Sequence, residues 1–216
     1  SAPKLELFDG QTSLASNTGW STAGNVDEVV AAAASVGAFA LDAANADSVL
    51  LETLAPGAYT AVAGGSDGGT GVVLIEVYDL SAPVAGQKLF NISTRAAVGS
   101  GDSTVVAGFV VSGSVPKRLL LRGAGPALAG FGLDGALTDP QIKLFKGQTE
   151  VASNDDWGVN ATAVSAASTT TGAFQFAAGS KDAAMVLSLE PGAYTVQISG
   201  VGGASGIGLI EVYEIP

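Results

Sequence analysis

The sequence predicts an all-β protein: two tandem β-sandwich or jelly-roll-like domains made by an internal repeat and bridged by a β-rich middle segment. Three observations carry this. The first and last parts of the 216-residue chain repeat one another. Each repeat alternates short apolar runs with Pro-Gly and Gly-rich turns about every 10 residues, the spacing of a sandwich. The apolar fraction is 47%, yet only 6% of residues are aromatic, and Gly (30) and Ala (37) supply much of the rest. That content is too apolar, and the 13% of charged residues too few, for a disordered chain.

The repeat sets the boundaries. Residues 3–20, PKLELFDGQTSLASNTGW, match 140–157, PQIKLFKGQTEVASNDDW, at ten of eighteen positions. The match resumes 135 residues apart: Gly37-Ala38-Phe39 with Gly172-Ala173-Phe174, Pro56–Thr60 with Pro191–Thr195, and Leu74–Tyr78 with Leu209–Tyr213. We name the units B1 (1–80) and B2 (140–216), with a different segment, A (81–139), between them. Each B unit is expected to open with a short strand (Leu5–Phe8, Ile142–Phe145), turn at Asp9-Gly10 or Lys146-Gly147, and run back through Ala15 or Ala152. Val26–Ala34, with two acids at its start and four alanines after them, suits a short helix; the counterpart at 160–168 is richer in Ser and Thr. Pro56-Gly57 and Pro191-Gly192 start the next strand, where Tyr194, Val196 and Ile198 share one face. In segment A, Leu89–Arg95, Thr104–Val111 and Arg118–Arg122 read as strands, and the stretch after Arg122 reads as an irregular loop.

The closing strands are apolar on both sides. Ile207, Leu209, Glu211, Tyr213 and Ile215 alternate with Gly208, Ile210 and Val212, and B1 repeats the pattern over Val72–Tyr78. A strand apolar on both faces is covered on both, so a layer beyond the sandwich is expected: segment A, the other B unit, or a neighbouring molecule.

Charge and composition exclude function classes. Nine basic against 20 acidic residues leave a net charge of −11, which repels nucleic acid. The charge is uneven: 1 − 10 = −9 over 1–80, 5 − 3 = +2 over 81–139, and 3 − 7 = −4 over 140–216. This layout suits contact between the middle segment and the ends, within a chain or between chains. With no Cys and no His, there is no thiol, disulfide, Cys/His zinc site or imidazole base. No segment reads as a membrane-spanning helix. The Ser1-Ala2-Pro3 start fits a mature secreted protein or a trimmed chain.

Segments LFNISTRAAVGSGD, VVAGFVVSG, PKRLLLRGAGPAL, LTDPQIKLFKG and PGAYTVQISG resemble a repeat of large secreted bacterial surface proteins, in which an A unit precedes each B unit. The B unit is more distantly similar to the pre-peptidase C-terminal β-sandwich of secreted hydrolases. The resemblance implies binding or structural roles outside the cell rather than catalysis. B1 departs from it in having no A segment before it in this sequence.

Asn154, Asp155 and Asp156 cluster oxygens in a turn, a candidate Ca²⁺ site whose bland alternative is an Asx turn before Trp157; no other cofactor is expected. Glu76 and Glu211 recur inside apolar strands and are expected to pair with a cation of segment A, Arg95, Arg118 or Arg122, rather than act as a glycosidase pair. Leu74, Glu76, Tyr78, Leu209, Glu211 and Tyr213, with those three arginines, are the expected interface. Trp20, Trp157, Tyr59, Tyr78, Tyr194 and Tyr213 could stack sugars, but their repeat-equivalent placement favours packing. Gly123-Ala124-Gly125 lacks a dinucleotide fingerprint. The two glycosylation sequons, Asn91-Ile92-Ser93 and Asn160-Ala161-Thr162, are of a kind common by chance. The expected function is a non-enzymatic extracellular or cell-surface structural protein: a homo-oligomeric, head-to-tail subunit of a filament, sheath or surface layer. The alternative is a carbohydrate-binding or spacer module of a larger secreted protein.

Overall fold

A computed structural model describes residues 2–81 and 89–216, and its all-β, antiparallel character matches the sequence expectation. The chain divides into two compact units, 1–88 and 89–216.

The second unit is a sandwich of two four-stranded sheets. Its strands are β4 (Asn91–Val98), β5 (Val105–Val111), β6 (Lys117–Ala124), β7 (Pro140–Lys146), β8 (Thr149–Asn154), β9 (Ala183–Leu189), β10 (Gly192–Gly200) and β11 (Gly206–Glu214). One sheet has the order β5-β10-β7-β8 and the other β4-β11-β6-β9. Segment A is therefore not a separate bridge. Its strands interleave with those of B2: β5 pairs with β10, while β4 and β6 flank β11. The reason is hydrogen bonding. Without A, β11 would lose both of its ladders.

Between the sheets, Ile142, Leu144, Val196 and Ile198 pack against Leu121, Ile210 and Val212. The alternation in β10 is as expected, with Tyr194, Val196 and Ile198 turned inward. A second core lies on the other face of the β11 sheet. There Trp157, Phe176 and helix α2 (Ala161–Thr171) cover Leu120, Ala184 and Ile215, with Leu209 and Tyr213 packed alongside. The helix forms despite its Ser and Thr content because Val164, Ala167 and Ser168 are buried on one side. It stops at Gly172, whose φ of 76° takes the left-handed cap. The stretch after β6 is not wholly irregular: Pro126–Phe131 form a 3-10 turn.

The first unit holds β1 (Pro3–Asp9), β2 (Thr12–Asn17), helix α1 (Val26–Val36) and β3 (Thr60–Gly65), with sheet order β2-β1-β3. This reproduces β8-β7-β10 closely. Leu5 faces Ala63 as Ile142 faces Ile198, and the bulge between Leu7 and Phe8 recurs between Leu144 and Phe145. The counterparts of β9 (residues 48–54) and β11 (residues 71–79) belong to no ladder among the described residues.

Candidate functional site

The recurring Glu-Val-Tyr of the closing strands is the feature to build from. In unit 2, β11 places Glu211 opposite Arg122 of β6. The Arg122 Nε lies 3.2 Å from Glu211 Oε2, and both side chains are buried, at 0% and 5% exposure. The Tyr213 hydroxyl donates to Glu211 Oε1 at 2.6 Å. The guanidinium carbon lies 4.1 Å from the ring centres of both Phe174 and Phe176. None of the three guanidinium nitrogens has a well-aligned hydrogen-bond acceptor among the described residues. The charge is held by the carboxylate and by two aromatic faces.

Burial dominates the protonation of this group. It pushes the Glu211 carboxyl up, against the pull of Arg122 and the Tyr213 hydroxyl. It pushes the Arg122 guanidinium down, against Glu211, Tyr213 and Asp182. It raises the Tyr213 phenol, which the carboxylate beside it raises further. Of the three arginines expected to meet a closing-strand glutamate, Arg122 does so in unit 2. Arg95 and Arg118 lie exposed on β4 and β6.

These positions correct one expectation. Leu209, Glu211, Tyr213 and Arg122 are not an open interface in unit 2, because Trp157, α2 and the Phe174–Phe176 stretch already cover that face. The chain supplies its own third layer there.

A second buried polar cluster ties the ASNDDW motif to segment A. Asp182 is fully buried, and its Oδ1 accepts from the Gly125 and Ala127 amides at 2.8 and 3.2 Å. Its Oδ2 accepts from Ser180, whose hydroxyl oxygen takes the Trp157 indole N–H at 3.1 Å. Asn154 Oδ1 accepts from the Ala184 amide, and its Nδ2 donates to the Asp156 carbonyl. Asp156 pairs with Lys181 at 3.0 Å, and Asp155 faces solvent. Asn154, Asp155 and Asp156 thus do not converge on one point, and no group of three acidic side chains among the described residues is arranged to hold a metal. The motif closes a turn and seats a tryptophan.

No protein-family model matches this chain, and no curated protein does. Among solved structures, it is similar to the pre-peptidase C-terminal domain of a collagenase from Bacillus anthracis, at 14% identity and a TM-score of 0.35 over 57% of this chain and 89% of that one. The similarity is distant. No helix of the described residues is long and apolar enough to cross a membrane.

In unit 1 the local devices recur. The Val49 amide donates to Asn17 Oδ1 as Ala184 does to Asn154. Tyr59 donates to the Ala55 carbonyl as Tyr194 does to Glu190. The Trp20 amide donates to the Asp47 carbonyl as Trp157 does to Asp182, and both indoles are buried. Tyr78 also reaches Glu76, at 3.1 Å, but this pair is exposed. Around it, Val72, Leu74, Ile75, Val77, Tyr78 and Leu80 are all exposed. Ile75 is 40% exposed where Ile210 is 1%, and Val77 is 50% where Val212 is 6%. Leu74, Glu76 and Tyr78, expected at an interface, are therefore open on unit 1.

Sequence reasoning missed Asp182 and Phe176. Asp182 carries a signal, since Asp47 stands at the equivalent place in B1. Phe176 carries none, since Leu41 stands there.

Proposed function

We propose that this protein is an extracellular structural subunit that associates with copies of itself through its β-rich units, as part of a filament, sheath or surface layer. The single supporting observation is the exposed apolar strip Val72–Leu80 on unit 1, whose counterpart in unit 2 buries Ile210, Val212 and Ile215 and half-buries Ile207, Leu209 and Tyr213. Covering each such Val, Leu or Ile contributes roughly 1.5–3 kcal/mol, and an unpaired apolar strand readily adds to another sheet. The two units of one chain are unlike, so a contact between unit 1 of one copy and another part of the next is heterologous, and such contacts propagate unless they close.

The composition supports a non-catalytic role. There is no Cys or His, and Glu211 is buried against Arg122 and Tyr213, out of reach of a substrate. Because both indoles are buried, the sugar-binding alternative gains no support from Trp20 or Trp157.

Light scattering and electron microscopy of the purified chain test the reading. The expected result is concentration-dependent association that Ile75→Lys weakens. A particle that stays monomeric at every concentration, with and without Ca²⁺, overturns it.

A further inference from the structure

We propose that unit 1 is a strand acceptor, and that its ligand is a polypeptide segment of the A type: a β-strand triplet like 89–139 that is not already engaged by a B unit. It concerns the same strip, Val72–Leu80, as the self-association reading and gives it a different occupant, so the two are tested separately.

Three independent comparisons support it. The first is the ladders. In unit 2, the strands that complete B2 all come from segment A: β5 on β10, β4 and β6 on β11, and β6 on β9. Their counterparts in unit 1, β3 and residues 48–54 and 71–79, are open at those edges among the described residues.

The second is the polar groups. In unit 2, Glu211 meets Arg122 and Asp182 meets the Gly125 and Ala127 amides, all donors from segment A. Unit 1 keeps both acceptors, Glu76 and Asp47. An acid inside an apolar strand has no packing value by itself. Its retention in Leu74–Tyr78 suits an arriving arginine. Phe39 stands where Phe174 covers that arginine, and is exposed.

The third is volume. A Cβ on Gly208 would lie 2.8 Å from Val98 Cγ2 and 3.1 Å from Ile198 Cδ1. Unit 1 has Val73 at the glycine's place and Ala63 at the isoleucine's. The larger residue in one segment is offset by the smaller one at the position that faces it in unit 2. That exchange has a purpose only if residues 71–79 close over β3 across a packed core, as β11 closes over β10.

The chain's own 89–139 is not the donor. Its strands are committed to B2, and one A segment cannot fill two B units.

The test joins a second copy of 89–139 directly ahead of Pro3 in the full chain. The join is conservative, because the Val201 amide donates to the Asp139 carbonyl as Ser66 donates to Ala2. The expected result is that hydrogen exchange at the 72–78 amides slows by about 100-fold or more, while unit 2 keeps its protection. Since Val73 crowds the place of Val98, a second version carries Val98→Ala in the added copy and is expected to protect at least as well. Glu76→Lys is expected to abolish the protection in the joined chain and to leave unit 1 of the unjoined chain unchanged. Exchange at 72–78 that stays fast in both versions, with unit 2 still folded, overturns the proposal. So does a 72–78 strand in associated, unjoined chains that gains protection while 89–139 loses it, since a second copy's own segment is then the donor. Association of the unjoined chain is read separately by light scattering, so either result can fail without the other.

Discussion

Residues 74–78 and 209–213 spell the same five letters, LIEVY, yet the apolar side chains of the first are exposed, while the second buries Ile210, Glu211 and Val212 and half-buries Leu209 and Tyr213. The difference lies in the neighbours. Unit 2 has β4 and β6 beside this strand and the Trp157–Phe176 layer over it, while the described residues of unit 1 give its counterpart no ladder. Burial is thus a property of the pairing partner rather than of the strand sequence. A second lesson concerns charge. The same Glu-x-Tyr pair forms in both units, but only in unit 2 is it buried and joined to a cation.

Matched substitutions in the two units sharpen this contrast. The largest effect is expected at Arg122. Arg122→Ala leaves Glu211 buried without its cation and opens space between Phe174 and Phe176, at a cost of about 3–5 kcal/mol. Urea unfolding read through Trp157 emission, in a Trp20→Phe background, measures it. Glu76→Gln, at the matching site of unit 1, is expected to change stability by less than about 0.5 kcal/mol.

Next comes Ile210→Ala, which empties a site in the sandwich core and is expected to cost about 2–5 kcal/mol. Ile75→Ala should stay within about 0.5 kcal/mol in a dilute, unassociated chain. Equal losses at the two positions would show that unit 1 already packs its closing strand.

A smaller pair is Gly206 and Gly71. A Cβ on Gly206 would sit 2.7 Å from the Leu137 backbone nitrogen, whereas one on Gly71 meets nothing within 4 Å. Gly206→Ala is expected to cost about 1–3 kcal/mol, and Gly71→Ala close to nothing, by thermal unfolding.

The smallest effect is in pH. Glu211 has its carboxyl raised by burial, so the folded state holds that proton more tightly than the unfolded chain does. This contribution favours the fold below the unfolded carboxyl range and is lost as pH rises through the higher folded value. Glu211→Gln lacks the titration. Its stability relative to the parent is therefore expected to improve as pH rises from acidic to neutral; a constant difference across that window would remove burial as the governing influence.

Much of the fold was legible because local rules decide it. The Asp9-Gly10 and Lys146-Gly147 turns, the Pro-Gly starts and the alternation in β10 are short-range signals. So is the helix after each tryptophan, where α1 and α2 end on glycines with positive φ. What was not legible is long-range. Nothing in residues 89–124 states that they run between the strands of B2, because sheet order is set by which ladders close a core, and that choice spans many residues. The trace it leaves is a buried charge: Arg122 within Leu119–Leu121 and Gly123, answering Glu211 within its own apolar run. Asp182 leaves a fainter trace, since its partners from segment A are backbone amides with no side-chain signature. The extra layer needed by the doubly apolar strand could be inferred, but not that α2 and two phenylalanines of the same chain provide it.

The most direct measurement is amide hydrogen exchange on the dilute, unassociated chain, comparing residues 72–78 with residues 207–213. Fast exchange is expected in the first and strong protection in the second. Equal protection of both strands in a monomer would contradict this, because unit 1 would then be complete without any partner.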